Sequence, residues 1–249
     1  MKRNFFYFVK KYVKEKLEFL EPIIDWIIPP LFSSSSIKFF CEPLFLFLGR
    51  RKGRSGFLEM KRILIVRLDH LGDMILTIPF LRELRRNLPQ SWITLIVSPQ
   101  VYNLVKFCPY VNEILIYNPQ RLVSGPFGYF LRRIHMLKFS IVNLWNKKYD
   151  LAIQPRWGVD PFDGSFLIYF SGARERIAYI HSTFIRKCNK NKQYDNCSKL
   201  FSQIIKERKE KHFVELLLDM IKFLGGEVYE DDLELFLDKN DEFIVQSIL

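Results

Sequence analysis

The sequence predicts an α/β protein: a doubly wound, Rossmann-like parallel sheet preceded by a helical N-terminal extension. Three observations predict it. From residue 61 onward, short β-branched apolar runs alternate with stretches of helical spacing, the signature of βαβ units. The runs are continuous rather than alternating, Ile63-Leu64-Ile65-Val66 foremost, which suits strands covered on both faces. The first run reaches its helix through the polar turn Asp69-His70-Leu71-Gly72-Asp73, the first half of such a unit.

Composition narrows the class. With 249 residues, 49% hydrophobic and 24 Phe among them, the chain has the material for a sizeable core of one large or two small domains, and its composition argues against disorder. The net charge of +11 is uneven: residues 1–60 hold 11 Lys/Arg against 6 Asp/Glu, and 61–150 hold 13 against 5. Residues 151–249 reverse the sign, with 14 against 16. A basic amino-terminal part suggests a face that meets an anionic membrane, a phosphorylated glycolipid or nucleic acid. No helix-turn-helix, RNP motif or zinc finger is present, which argues against nucleic acid. Cys41, Cys108, Cys188 and Cys197 form no Cys-x-x-Cys pair and no zinc spacing, so four reduced thiols in a cytoplasmic protein are expected. The early Lys10-Lys11 interrupts any secretory signal.

Residues 1–60 read as a basic amphipathic extension and linker. Phe5, Phe8, Val9, Tyr12, Val13, Leu17 and Leu20 trace one helical stripe, with Lys10, Lys11, Lys14, Glu18 and Glu21 opposite. No segment reaches the roughly 18 charge-free apolar residues of a spanning helix. The stripe lies in a membrane interface, peripheral on the inner face of the bacterial plasma membrane, packs on the protein's own core, or binds a partner. Ser33 to Ser36 suggest a turn or linker. Phe39 to Leu48 is apolar again, broken by Glu42-Pro43. The following Gly49-Arg50-Arg51-Lys52-Gly53-Arg54-Ser55-Gly56 is not a phosphate loop. Only three residues separate its glycines, Arg replaces Lys, and no strand precedes it.

From residue 61 to 238 we expect one Rossmann-like domain. Strands are expected at 62–68, 92–98, 113–117, 150–155 and 176–180, and helices at 73–88, 99–107, 126–146, 161–171 and 212–224. Gly225-Gly226 is placed to end the last helix. Residues 182–211 read as a loop or partly helical excursion. Leu233 to Leu237 alternates like a strand, and 239–249 would begin an interdomain segment.

The residues around the first turn also carry a family resemblance. Arg67-Leu68-Asp69-x-x-Gly72-Asp73, then Leu76-Thr77-x-Pro79 and Leu81-Arg82-x-Leu84-Arg85, resembles the amino-terminal signature of the family 9 glycosyltransferases, the lipopolysaccharide heptosyltransferase-like enzymes. Trp92 to Val97, Pro109-x-Val111-x-Glu113-Ile114, Tyr149 to Ile153, Leu167 to Tyr179 and His212-x-Val214-Glu215 follow in the family's order. The resemblance spans about residues 61–238. It implies the N-terminal half of a GT-B architecture and inverting transfer of a sugar, heptose from ADP-heptose, to a lipopolysaccharide-type glycolipid acceptor. ADP-heptose would be a substrate, and the resemblance implies no metal.

The resemblance maps the family's catalytic base onto Asp73. By position alone, an Asp at a helix start is also an N-cap, worth about 1 kcal/mol. Gly72 lets the backbone turn sharply or approach a ligand closely. Arg67 is placed as an ion-pair partner of Asp69 or Asp73, or as a ligand of an acceptor phosphate. Asp69 and His70 share the loop. Here His70 either contacts the acceptor or plays no part. Gln154 to Gly164 follows another strand and so reaches the same rim. There Arg156 has the geometry for phosphate and Trp157 the ring for stacking on a sugar. Asp160 and Asp163 lack the Asp-x-Asp spacing of metal-dependent transferases and read as turn formers. His212 matches a family His near the cleft, or caps its helix.

In the GT-B architecture a second domain binds the donor, and it would begin about where this sequence stops. The expectation is therefore an acceptor-side half, truncated or split, with little transferase activity alone. The alternative is a non-catalytic, membrane-associated acceptor-binding module.

Overall fold

The structure, a computed structural model, describes residues 33–50, 56–118, 126–156, 160, 162–179, 197–206 and 211–236. The amphipathic stripe over 5–20, residues 51–55 of the basic linker, Trp157, most of 182–211 and the segment after 238 lie outside these residues.

In chain order the elements are α1 (Ser34–Phe47), β1 (Arg62–Arg67), α2 (Leu71–Ile75), α3 (Ile78–Asn87), β2 (Trp92–Val97), α4 (Tyr102–Val105) and β3 (Glu113–Ile116). They continue with α5 (Pro126–Asn143), β4 (Leu151–Gln154), α6 (Gly164–Phe170), β5 (Glu175–Tyr179), β6 (Gln203–Ile205) and α7 (Phe213–Leu224). The six strands form one all-parallel sheet in the order β3-β2-β1-β4-β5-β6.

The pleat sorts each strand's side chains into two cores. Ile63 and Ile65 join Leu81, Leu84, Leu217 and Ile221 under α3 and α7. Leu64 and Val66 join Met136, Phe166 and Tyr169 under α5 and α6. Helices on both faces explain why the strands read as continuous apolar runs. The chain winds outward from β1 in both directions, so the order reverses between β1 and β4. The crevice at that reversal, at the carboxyl ends of the strands, is where such sheets bind ligands.

Several expectations are corrected. The serine run is a helix start: Ser33 caps α1, its hydroxyl accepting from the Ser36 N–H at 3.3 Å. Instead of one helix at 73–88 there are two, α2 and α3. Pro79 has no N–H to offer the Ile75 carbonyl and disfavours helical geometry before it. Thr77 adapts the joint by donating its hydroxyl to the Asp73 carbonyl at 2.7 Å. Within the supposed loop 182–211, Gln203–Ile205 adds a sixth strand beside β5. Residues 231–236 form no strand. This segment runs over α3, where Arg82 binds Glu234 and, just before it, Arg86 binds Glu230 at 2.9 Å. Gly225 ends α7 as expected, at φ 93°, a conformation glycine adopts without strain.

Helix α1 is docked on the domain rather than held apart. Ile37 and Phe45 are buried in the second core, Glu42 accepts from the Tyr169 hydroxyl at 2.8 Å, and Arg50 donates to the Trp145 carbonyl at 2.7 Å. Cys41, Cys108 and Cys197 carry thiols. Among the described residues, no helix is long and apolar enough to cross a membrane.

Candidate active site

Strand β1 ends in Arg67, whose side chain is only 2% exposed. Burying a guanidinium is costly unless it is paired and hydrogen-bonded, and this one is anchored on four sides. It ion-pairs with Asp69 at 3.0 Å and lies 3.6 Å from the carboxylate of Asp73. It donates to the backbone carbonyls of Pro155 and Asp73. The ring of Phe213, the first residue of α7, covers it at 4.9 Å. Burial pulls its pKa down to about 10, against the pull of Asp73, so it remains a cation at neutral pH.

The two carboxylates it holds differ in access. Asp69 is buried and is also bound by Arg156 from the segment after β4. Asp73 is 43% exposed, on the first turn of α2. It occupies the third helical position, three residues beyond the N-cap residue His70, whose own side chain makes no capping hydrogen bond. Its open face is therefore available to a ligand. Gly72 is not a left-handed turn glycine, since its φ is not positive. A Cβ added there would meet nothing within 4 Å, so nothing inside the protein excludes a side chain beside Asp73.

Arg156 is tied to Asp69 rather than turned to solvent, and burial lowers its pKa to about 10. His70 is exposed, with its ring 5.9 Å from that of Phe162. His212 is exposed at the N-cap of α7, and its side chain accepts no capping hydrogen bond. Phe213 beside it carries that helix start to Arg67 and hence to the rim. The structure thus brings together Arg67, Asp69, His70, Gly72, Asp73 and Arg156, and adjoins His212.

Beyond them, Leu68, Asp69, His70, Ser98, Pro99, Gln100, Asn118 and Phe162 line a cleft of about 70 Å³. Ser98 donates to the Asp69 carbonyl at 3.5 Å. Ser98, Gln100 and Asn118 were not foreseen as site residues. They follow β2 and β3 directly, and the rule that ligands gather at the carboxyl ends of parallel strands would have marked them. Hydroxyls, amides and an aromatic ring together are suited to a polyhydroxylated ligand.

The aspartates after β4 serve the fold. Asp160 accepts from the Gly164 and Ser165 N–H groups at 3.1 and 2.8 Å, from the Ser165 hydroxyl at 2.6 Å and from Gln154 at 2.9 Å. It thereby caps α6. Asp163 takes a left-handed φ of 58° and pairs with Arg132 and Arg133, each at 3.1 Å. Burial pushes its carboxyl up, against the pull of Arg133 and Arg132. Among the described residues, no three His, Cys, Asp or Glu side chains are grouped to hold a metal ion.

A parallel sheet in this order, with a charged rim at its reversal point, defines a Rossmann-like domain, and the fold is that of one half of a GT-B glycosyltransferase. It is similar to the glycosyl transferase family 9 protein from Veillonella parvula, with a TM-score of 0.57 at 19% identity over 78% of this chain and 50% of that one. It is also similar to the E. coli heptosyltransferase WaaC with ADP-2-deoxy-2-fluoro heptose, with a TM-score of 0.51 at 17% identity over 70% of this chain and 51% of that one. At these identities the likeness is one of fold, and the chain spans about half the length of the structures it matches. No protein-family model matches the sequence, and no curated protein does either.

Proposed function

We propose that this domain is the acceptor side of an inverting glycosyltransferase of the family 9 type, with Asp73 as general base. The observation that carries the reading is the half-exposed Asp73 carboxylate, held by buried Arg67 at the reversal point of the sheet. Asp73 takes the proton from an acceptor hydroxyl as that oxygen attacks the anomeric carbon of the donor sugar. The bond to the nucleotide breaks with its electron pair leaving on the diphosphate, and configuration inverts. The donor is ADP-heptose and the acceptor a lipopolysaccharide-type glycolipid. The fluoro-heptose nucleotide in the similar E. coli enzyme supports the choice of donor. Ser98, Gln100, Asn118 and Phe162 bind the acceptor sugar beside the base. On this reading donor recognition belongs to a separate donor-side half.

The test is calorimetric titration of the purified chain with a deacylated lipopolysaccharide core oligosaccharide and, separately, with ADP. The oligosaccharide binds and ADP gives no heat. Failure of the oligosaccharide to bind overturns the reading, and tight ADP binding overturns its assignment to the acceptor side.

A further inference from the structure

Helix α1 presents an outward face that water does not favour. Phe39, Phe40 and Phe47 are 76, 66 and 89% exposed, and Leu44, Leu46 and Leu48 are exposed beside them. Phe39 and Phe40 pack edge to face at 5.4 Å. With Pro43, these residues form one continuous stripe that contains no charge. The helix's single acid, Glu42, is turned inward to the Tyr169 hydroxyl. Isolated exposed leucines are ordinary, but a contiguous aromatic patch of this kind marks a docking surface.

The charges around the patch indicate its occupant. Lys199 bonds to the Ser35 hydroxyl at 2.8 Å where the helix begins, and Arg50 lies where it ends. In sequence, Arg51, Lys52 and Arg54 follow. A second copy of this chain would set these cations against their own kind in either two-fold arrangement, since both ends are basic. An anionic bilayer satisfies the whole pattern: rings and leucines enter the acyl boundary while the basic ends of the helix attract headgroup phosphates through their net charge.

We infer that α1 is an interfacial helix that docks this domain onto anionic lipid through Phe39, Phe40 and Phe47. The helix is fixed to the domain by its opposite face, through Ile37, Phe45 and Glu42, so it carries the domain with it. Its contacts, Trp145, Gly172 and Cys197–Leu200, all lie shortly before a strand. It therefore sits at the amino ends of the strands, opposite the rim that holds Asp73. This inference does not depend on the transfer reading.

The test is co-sedimentation of the full chain with phosphatidylcholine vesicles, either alone or containing about a third phosphatidylglycerol. The chain binds the anionic vesicles, binds neutral ones far less, and is released by salt. The combined variant Phe39→Ser, Phe40→Ser, Phe47→Ser lowers the partition coefficient by about tenfold or more. Phe47→Asp lowers it in the same direction. All three side chains face outward, so the melting temperature is unchanged and confirms folding. Unchanged binding by both variants overturns the inference, as does the absence of binding by the wild-type chain. Concentration-dependent dimerisation that Phe47→Asp abolishes, without lipid binding, overturns it in favour of a second copy.

Discussion

Arg67 Nη2 stands 3.6 Å from Asp73 Oδ1, with the guanidinium closed to solvent and the carboxylate open to it. One end of this pair is rigid scaffold and the other is the reagent of the proposed reaction. The separation is longer than a tight charge-assisted hydrogen bond, so the carboxylate is oriented while its lone pairs remain available to a substrate hydroxyl.

Replacing Asp73 by Asn removes the proposed proton acceptor and changes little else, because the carboxylate is 43% exposed and stands 3.6 Å from Arg67. Transfer from ADP-heptose, followed by ADP release with a donor-binding half present, falls by roughly 10²–10⁴-fold. The melting temperature and acceptor affinity stay near those of the parent chain. Loss of acceptor affinity in step with rate would instead assign Asp73 to binding.

Arg67→Ala has the opposite profile. It leaves Asp69 buried with Arg156 alone and frees the Pro155 carbonyl and the Phe213 ring from their partner. Breaking a buried pair in this way costs about 3–5 kcal/mol, to be read from urea denaturation. Arg67→Lys recovers part of this, since an ammonium lacks the planar fork needed to reach Asp69, Asp73 and Pro155 together.

Gly72→Ala separates ligand clearance from folding. A methyl there meets no protein atom within 4 Å, and alanine is favoured over glycine inside a helix by up to about 1 kcal/mol. The variant is thus as stable as the parent chain or more so, while acceptor binding beside Asp73 weakens. Undiminished acceptor affinity would show that no ligand passes over Gly72.

Acid is expected to release residues 227–236. Burial pushes the Glu234 carboxyl up, but hydrogen bonds from Tyr110 and Arg82 outweigh it and hold the group below the usual glutamate value of 4.5. A depressed carboxyl contributes its stability fully above that value. The contribution is lost as pH falls through the lower, folded-state value. The protection factor of the Tyr229 amide, whose N–H donates to Glu83 at 2.9 Å, falls over that window. Glu234→Gln removes the pH dependence.

The fold was legible where burial on both faces leaves continuous β-branched runs, as in β1 and β2, and where Gly225 ends a periodic helix. It was illegible where side-chain partners far along the chain decide the outcome. Leu233 to Phe236 alternates correctly for a strand, yet the leucines face water. Glu234 turns inward because Arg82 and Tyr110 await it. Strand β6 has three residues at a sheet edge, too few to show a period. At the site, Asp69, Gly72 and Asp73 could be read from one turn. The pairing of Asp69 with Arg156 joins segments that only the winding of the sheet brings together. The cover that Phe213 places over Arg67 has no local signal at all.

That cover has a consequence for biosynthesis. Arg67 leaves the ribosome 146 residues before Phe213, an interval of roughly 7–30 s at ordinary elongation rates. Throughout that delay Arg67 is without its aromatic lid. The cover over Arg67 is complete only once the start of α7 has been synthesised. Chaperones that shield the emerging amino-terminal half would therefore guard an unfinished charge cluster as well as exposed hydrophobic strands.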